Sequence, residues 1–100
     1  MSQRPGRYAV KVDANQKEIV HALESVGCSV ACTHMVGRGF ADLVVGYYDI
    51  KTGEPTNLLM EVKTPEGKLN DLETEFHRNW KGRIVVVHNI LEALEAVGRL

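Results

Sequence analysis

Two apolar segments, "ADLVVGYY" over 41–48 and "NLLMEVK" over 57–63, are joined by "DIKTGEPT", in which Gly53 and Pro55 interrupt regular structure. Each segment has the length and the β-branched, aromatic and aliphatic content of a strand, so together they predict a long β-hairpin. A chain of 100 residues builds one core and not a second. The chain is therefore read as one unit.

Before the hairpin, "NQKEIVHALESV" over 15–26 places Ile19, Leu23 and Val26 on one stripe, widened by Val20 and Ala22, and stops at Gly27. That is an amphipathic helix. A short strand over 28–33 follows, then the glycine-bearing loop "HMVGRG". After the hairpin, a helix over 70–81 carries Leu72, Phe76 and Trp80 at spacing four and ends at Gly82, and Trp80 reads as a core residue. "RIVVVH" reads as a strand buried on both faces, and "NILEALEAVGRL" as a third amphipathic helix. The order α-β-β-β-α-β-α predicts an α/β domain with a mixed central sheet flanked by helices. Its first three strands are antiparallel, and the fourth, reached through a helix, is parallel to a neighbour. The domain is expected over 15–100, with 1–14 an N-terminal arm or, since Tyr8, Val10 and Val12 alternate, an edge strand.

Composition narrows the partners. Hydrophobic residues make up 44% and charged residues 25%, an ordinary globular balance. No apolar run approaches the roughly 18 residues of a membrane span. The start lacks the uninterrupted apolar stretch of a secretory signal, so a cytoplasmic location and no membrane partner are expected. Twelve basic and thirteen acidic residues leave a net charge of −1; any contact with nucleic acid must be local or metal-mediated. Cys28 and Cys32, in "CSVACT", would stand about 13 Å apart along a strand. That is too far for a disulfide or a shared ion, and both read as small buried hydrophobes.

Charge inside the hairpin is the feature that this frame does not explain. Alternation sends Met60 and Val62 to one face of their strand and Leu59, Glu61 and Lys63 to the other. If that second face is even partly covered, a carboxylate and an ammonium there need partners. Asp42 opens the neighbouring strand, and roughly equal arms from the turn bring it near Glu61. Two adjacent carboxylates repel unless a proton or a cation lies between them. Mg²⁺ takes oxygen ligands of this kind, so Asp42, Glu61 and the backbone carbonyl of Val62 form a candidate half-shell. Lys63 would position or deprotonate a water that attacks a phosphodiester. The bland alternative for all three is a partly exposed charge cluster.

With "VGRGFADLVVG", "MEVKTPEGKLNDLETEF" and "WKGRIVVVHN", the chain resembles the PD-(D/E)xK nuclease superfamily and, more narrowly, the VRR-NUC group with its small stand-alone phage and prophage members. The similarity runs from about Asn15 to Gly98. Glu-x-Lys alone is common; the joined string of loop, aspartate, hairpin, Glu-x-Lys and helix is more specific. The resemblance implies a restriction-endonuclease-like fold and a metal-dependent endonuclease that hydrolyses DNA. Asp42 and Glu61 would hold Mg²⁺ or Mn²⁺, Lys63 would serve the water, and Glu18 would complete the metal shell. Two departures stand out. Ala41 replaces the usual proline before the aspartate, which affects backbone alone. Glu73 stands where glutamine is usual, and an ionised carboxylate accepts hydrogen bonds but cannot donate them, so any accessory role carried over to Glu73 is in doubt.

Glu18 and Glu73 also have a structural reading. Each lies three residues after an asparagine at an expected helix start (Asn15, Asn70), as Glu92 does after Asn89, which is the spacing of a capping box. Arg38 in the glycine-bearing loop and Lys68 after the hairpin are candidate DNA-phosphate contacts, His34 is a weaker one, and solvated surface charge explains each equally. His21, His77 and His88 read as surface or helix-edge residues. Arg78, Lys81 and Arg83 form either a basic patch or solvated helix-end charge. One such chain covers little duplex, so a homodimer is expected, with branched or junction DNA among its substrates. The alternative from another class is a non-catalytic DNA-binding or assembly module on a nuclease-like scaffold.

Overall fold

The structure is a computed structural model that describes residues 14–100. The expectation of an arm or edge strand around Tyr8, Val10 and Val12 lies outside the described residues. The elements follow the order α1 (Ala14–Ser25), β1 (Ser29–Cys32), β2 (Leu43–Tyr48), β3 (Pro55–Val62), α2 (Asp71–Asn79), β4 (Ile84–Val87) and α3 (Ile90–Ala96). The four strands form one sheet in the order β1-β2-β3-β4. β1, β2 and β3 are antiparallel neighbours, and β4 runs parallel to β3. This is the mixed sheet that the order of segments predicts. Among the described residues no helix is long and apolar enough to cross a membrane.

Alternation along the hairpin decides which face holds the core. Leu43, Val45 and Tyr47 of β2, Leu58, Met60 and Val62 of β3, and Val87 of β4 join Ile19 and Leu23 of α1 and Ala93 of α3, with Val97 just beyond it, in one buried cluster. Ile19 and Leu23 are fully excluded from water, each burial contributing roughly 2 kcal/mol. The opposite face carries Asp42, Leu59, Glu61 and Lys63, and α2 lies beside it.

Three expectations fail for one reason: periodicity reports that residues share a face, and not how completely another element covers it. None of the residues of α2 is buried, and Leu72 is 65% exposed. Trp80 is 42% exposed and is not a core residue; it stacks on Phe76 at 5.2 Å between ring centroids and meets the Phe40 ring edge-on at 6.3 Å. Among the described residues β4 is an edge strand, and Val87 alone of its residues is buried. β1 is the other edge among the described residues; Cys32 at its end is exposed, Cys28 just before it is buried, and both thiols are free. Asn15 lies inside α1, and its amide nitrogen donates to the carbonyls of Lys63 (3.0 Å) and His88 (3.3 Å), tying the ends of β3 and β4 to the helix.

The loop before β2 is held against α2 by a glycine. Gly39 has φ +82, and a Cβ there would lie 2.6 Å from the backbone carbonyl oxygen of Leu72. Gly39→Ala is therefore expected to destabilise the protein by about 2 kcal/mol or more, since both the left-handed backbone and the contact with a rigid carbonyl oppose a side chain. Urea unfolding of the two proteins measures this directly, and equal midpoints would show that the loop does not pack on α2.

Candidate metal and phosphodiester site

The register Leu43↔Met60, continued by one residue, places Asp42 opposite Glu61, and directly opposed antiparallel residues share a face. Local bonds fix the aspartate. Thr33 N–H donates to the Asp42 carbonyl (2.7 Å) and the Thr33 hydroxyl to that of Ala41 (2.8 Å), so the end of β1 clamps the backbone beneath the carboxylate. Ala41 is fully buried. Asp42 Oδ2 in turn accepts the Val62 N–H at 2.9 Å. Leu59 and Lys63 send their N–H groups the other way, to the carbonyls of Arg83, just before β4, and of Val87 at its end, so the N–H and carbonyl of Val62 both turn toward the β2 side, where Asp42 lies, as one residue's two backbone groups do in a strand.

Glu61 is only 2% exposed. Its Oε2 lies 3.4 Å from Lys63 Nζ, while its Oε1 is buried with no hydrogen-bond partner. Burial, followed by the negative charges of Asp42 and Glu73, pushes its pKa up to about 8, against the opposing pull of Lys63. Lys63 Nζ makes its shorter contact, 2.8 Å, with Glu73 Oε1. Burial works to lower the lysine's pKa, but the Glu73 hydrogen bond and the charges of Glu61 and Glu73 outweigh it and hold the ammonium above its usual range. Glu73 is the converse case: burial raises its pKa, and the bonds from Lys63 and from the Asn70 N–H bring it below the ordinary value. With every group ionised, three carboxylates face one ammonium, an excess of negative charge that attracts a cation.

Asp42, Glu61 and Lys63 thus come together as the alternation of the strands requires, and Glu73 joins them from α2. Its capping-box reading also holds, because the Asn70 side chain accepts from Glu73 N–H (2.8 Å) and Glu73 Oε1 accepts from Asn70 N–H (2.9 Å). At α3 only half of the box forms: Asn89 accepts from Glu92 N–H, whereas the Glu92 carboxylate turns to the N–H and ring of His88. Glu18 is exposed on α1. Among the described residues no group of three or more His, Cys, Asp or Glu side chains is placed to hold one metal ion. The register brings the Asp42 and Glu61 carboxylates to one face, and Val62, whose N–H bonds Asp42 Oδ2, lies beside them in the chain.

Arg38 and Lys68 are exposed, and Arg38 has φ 59 between Gly37 and Gly39, both also left-handed. The basic group near the end of α2 is engaged locally: Arg78 pairs with Glu75, Lys81 donates to the Asn79 carbonyl, and Arg83 donates to the Tyr47 hydroxyl. His34 Nδ1 and His77 Nε2 are both buried without partners. His77 lies one turn after Glu73. Burial, with the Lys63 charge, lowers its pKa against the pull of Glu73. The spacing of four between Glu73 and His77 is the one signal in the sequence that associates this histidine with the cluster. Comparison of the chain with protein-family models, curated proteins and solved structures finds no match.

Proposed function

We propose that the protein is a metal-dependent endonuclease acting on DNA phosphodiesters. The observation that carries this reading is the orphaned Glu61 Oε1, buried beside a second carboxylate. A carboxylate desolvated without a donor costs several kcal/mol unless a proton or cation compensates, and the neighbouring donors are hard oxygens of the kind Mg²⁺ and Mn²⁺ take. Asp42, Glu61 and the Val62 carbonyl are the residues that would hold the ion. When bound, it would supply charge stabilisation for a phosphodiester under attack by water.

The chain's own residues divide the remaining work. Lys63, fixed by Glu61 and Glu73, presents its ammonium beside the two carboxylates, where it orients a water or meets the charge growing on a phosphate oxygen. Arg38 and Lys68 are free to take flanking backbone phosphates, which positions DNA without reading its sequence. A homodimer belongs to the same reading. Met35, Val36 and Leu72 expose large apolar side chains on a loop and a helix that touch through Gly39, a grouping of the sort found at association surfaces. Two copies would place two sites on two strands.

A panel of single-stranded, duplex, flap and four-way DNA, incubated with the protein and Mg²⁺ or Mn²⁺, tests the proposal. Cleavage of at least one substrate, abolished by EDTA, is expected. Salt-sensitive binding of DNA with no cutting under any of these conditions would instead mark a binding or assembly module.

A further inference from the structure

We propose that Glu73 is a positioning residue for Lys63, tying the lysine to the first turn of α2 so that helix and ammonium are placed as one unit. The inference rests on the nuclease reading for its catalytic consequence, but not for its geometry. One oxygen, Glu73 Oε1, accepts both the Asn70 N–H at 2.9 Å and the Lys63 ammonium at 2.8 Å. The contact from Lys63 to Glu61 is longer, 3.4 Å. Both side chains of the shorter pair are largely shielded, with Lys63 19% and Glu73 15% exposed, so the bond is not the freely solvated kind that contributes little.

α2 has unusual need of such a tie. It buries none of its own residues, and its attachment rests on the Phe40, Phe76 and Trp80 rings, the close approach of Gly39 to Leu72, and this ion pair. A simple capping glutamate would spend its carboxylate on the helix alone, as a capping box requires. Here the same carboxylate reaches the sheet. Without it, Lys63 would retain among the described residues only the longer 3.4 Å contact with Glu61, and its ammonium would be released toward solvent, away from the place where a water or phosphate must lie.

Three variants separate positioning from capping. Glu73→Ala and Asn70→Ala both weaken the cap, and both should lower the unfolding midpoint. Only Glu73→Ala should lower kcat on a cleavable DNA, by about 10- to 100-fold with KM little changed, as expected when a reacting group is displaced by about 1 Å. Glu73→Gln keeps an oxygen for the Asn70 N–H but loses the charge, and it serves in place of the alanine variant should that one unfold. A readout independent of cleavage is the ¹⁵N signal of the Lys63 ammonium. It should be protected from exchange in the wild type and in Asn70→Ala, lost in Glu73→Ala, and broadened in Glu73→Gln. Survival of that signal in Glu73→Ala, its absence from the wild type, or equal loss of kcat in Asn70→Ala and Glu73→Ala would each overturn the assignment. If the wild type cuts no DNA, only the nuclease reading fails, and the ammonium signal still decides the tether.

Discussion

Lys63→Ala is expected to lower metal-dependent cleavage by about 10²- to 10⁴-fold, the usual worth of a positioned group that handles the attacking water. Among the described residues the lysine is the single positive side chain in ion-pair contact with both Glu61 and Glu73. Removing it leaves those carboxylates and Asp42 without an organic cation and takes away the donor nearest to where a phosphate oxygen would be drawn in. The fold should persist, because the lysine follows β3 rather than lying within it and its backbone N–H, bonded to the Val87 carbonyl, is retained. Cleavage rates measured alongside far-UV circular dichroism check both halves. A variant that cuts as fast as the wild type would remove Lys63 from the chemistry.

The second large effect is on stability. Glu61 titrates near pH 8 in the folded chain against an ordinary 4.5. Between those values the folded state holds a proton that the unfolded chain has released, so in metal-free buffer stability falls as pH rises through this window and levels off above it. The shift is worth on the order of a few kcal/mol. Glu61→Gln keeps the shape and removes the titration. The variant should match the wild type near pH 5 and exceed it by about 1–3 kcal/mol at pH 8 in the absence of divalent ions. Added Mn²⁺ should then stabilise the wild type and not the variant. Denaturant unfolding at the two pH values measures this, and a difference that does not change with pH would show that Glu61 is not a desolvated carboxylate.

The legible parts of this molecule are those written at short range. Alternation separated Met60 and Val62 from Glu61 and Lys63, and equal arms of the hairpin brought Asp42 opposite Glu61, because both follow from the pleat and the turn. What the pattern hid depends on residues far along the chain. Asn15 has the look of a helix cap, yet its amide serves strand ends 48 and 73 positions away. Leu72, Phe76 and Trp80 repeat like a buried stripe, but the element that would bury them is missing among the described residues, and the rings satisfy one another at the surface. Glu73 showed its capping partner three residues back and gave no sign of Lys63, ten residues earlier and just past the end of β3. The orphaned oxygen of Glu61 could be found only once its surroundings were folded around it.

Whether Asp42 and Glu61 share a divalent cation is decided by calorimetric titration with Mn²⁺ near pH 7. The wild type should bind the ion and release a proton as Glu61 gives up its own, seen as heat that varies with the ionisation enthalpy of the buffer, and Asp42→Asn should lose the binding. Saturation of Asp42→Asn with unchanged affinity, or no binding by the wild type, would contradict the account.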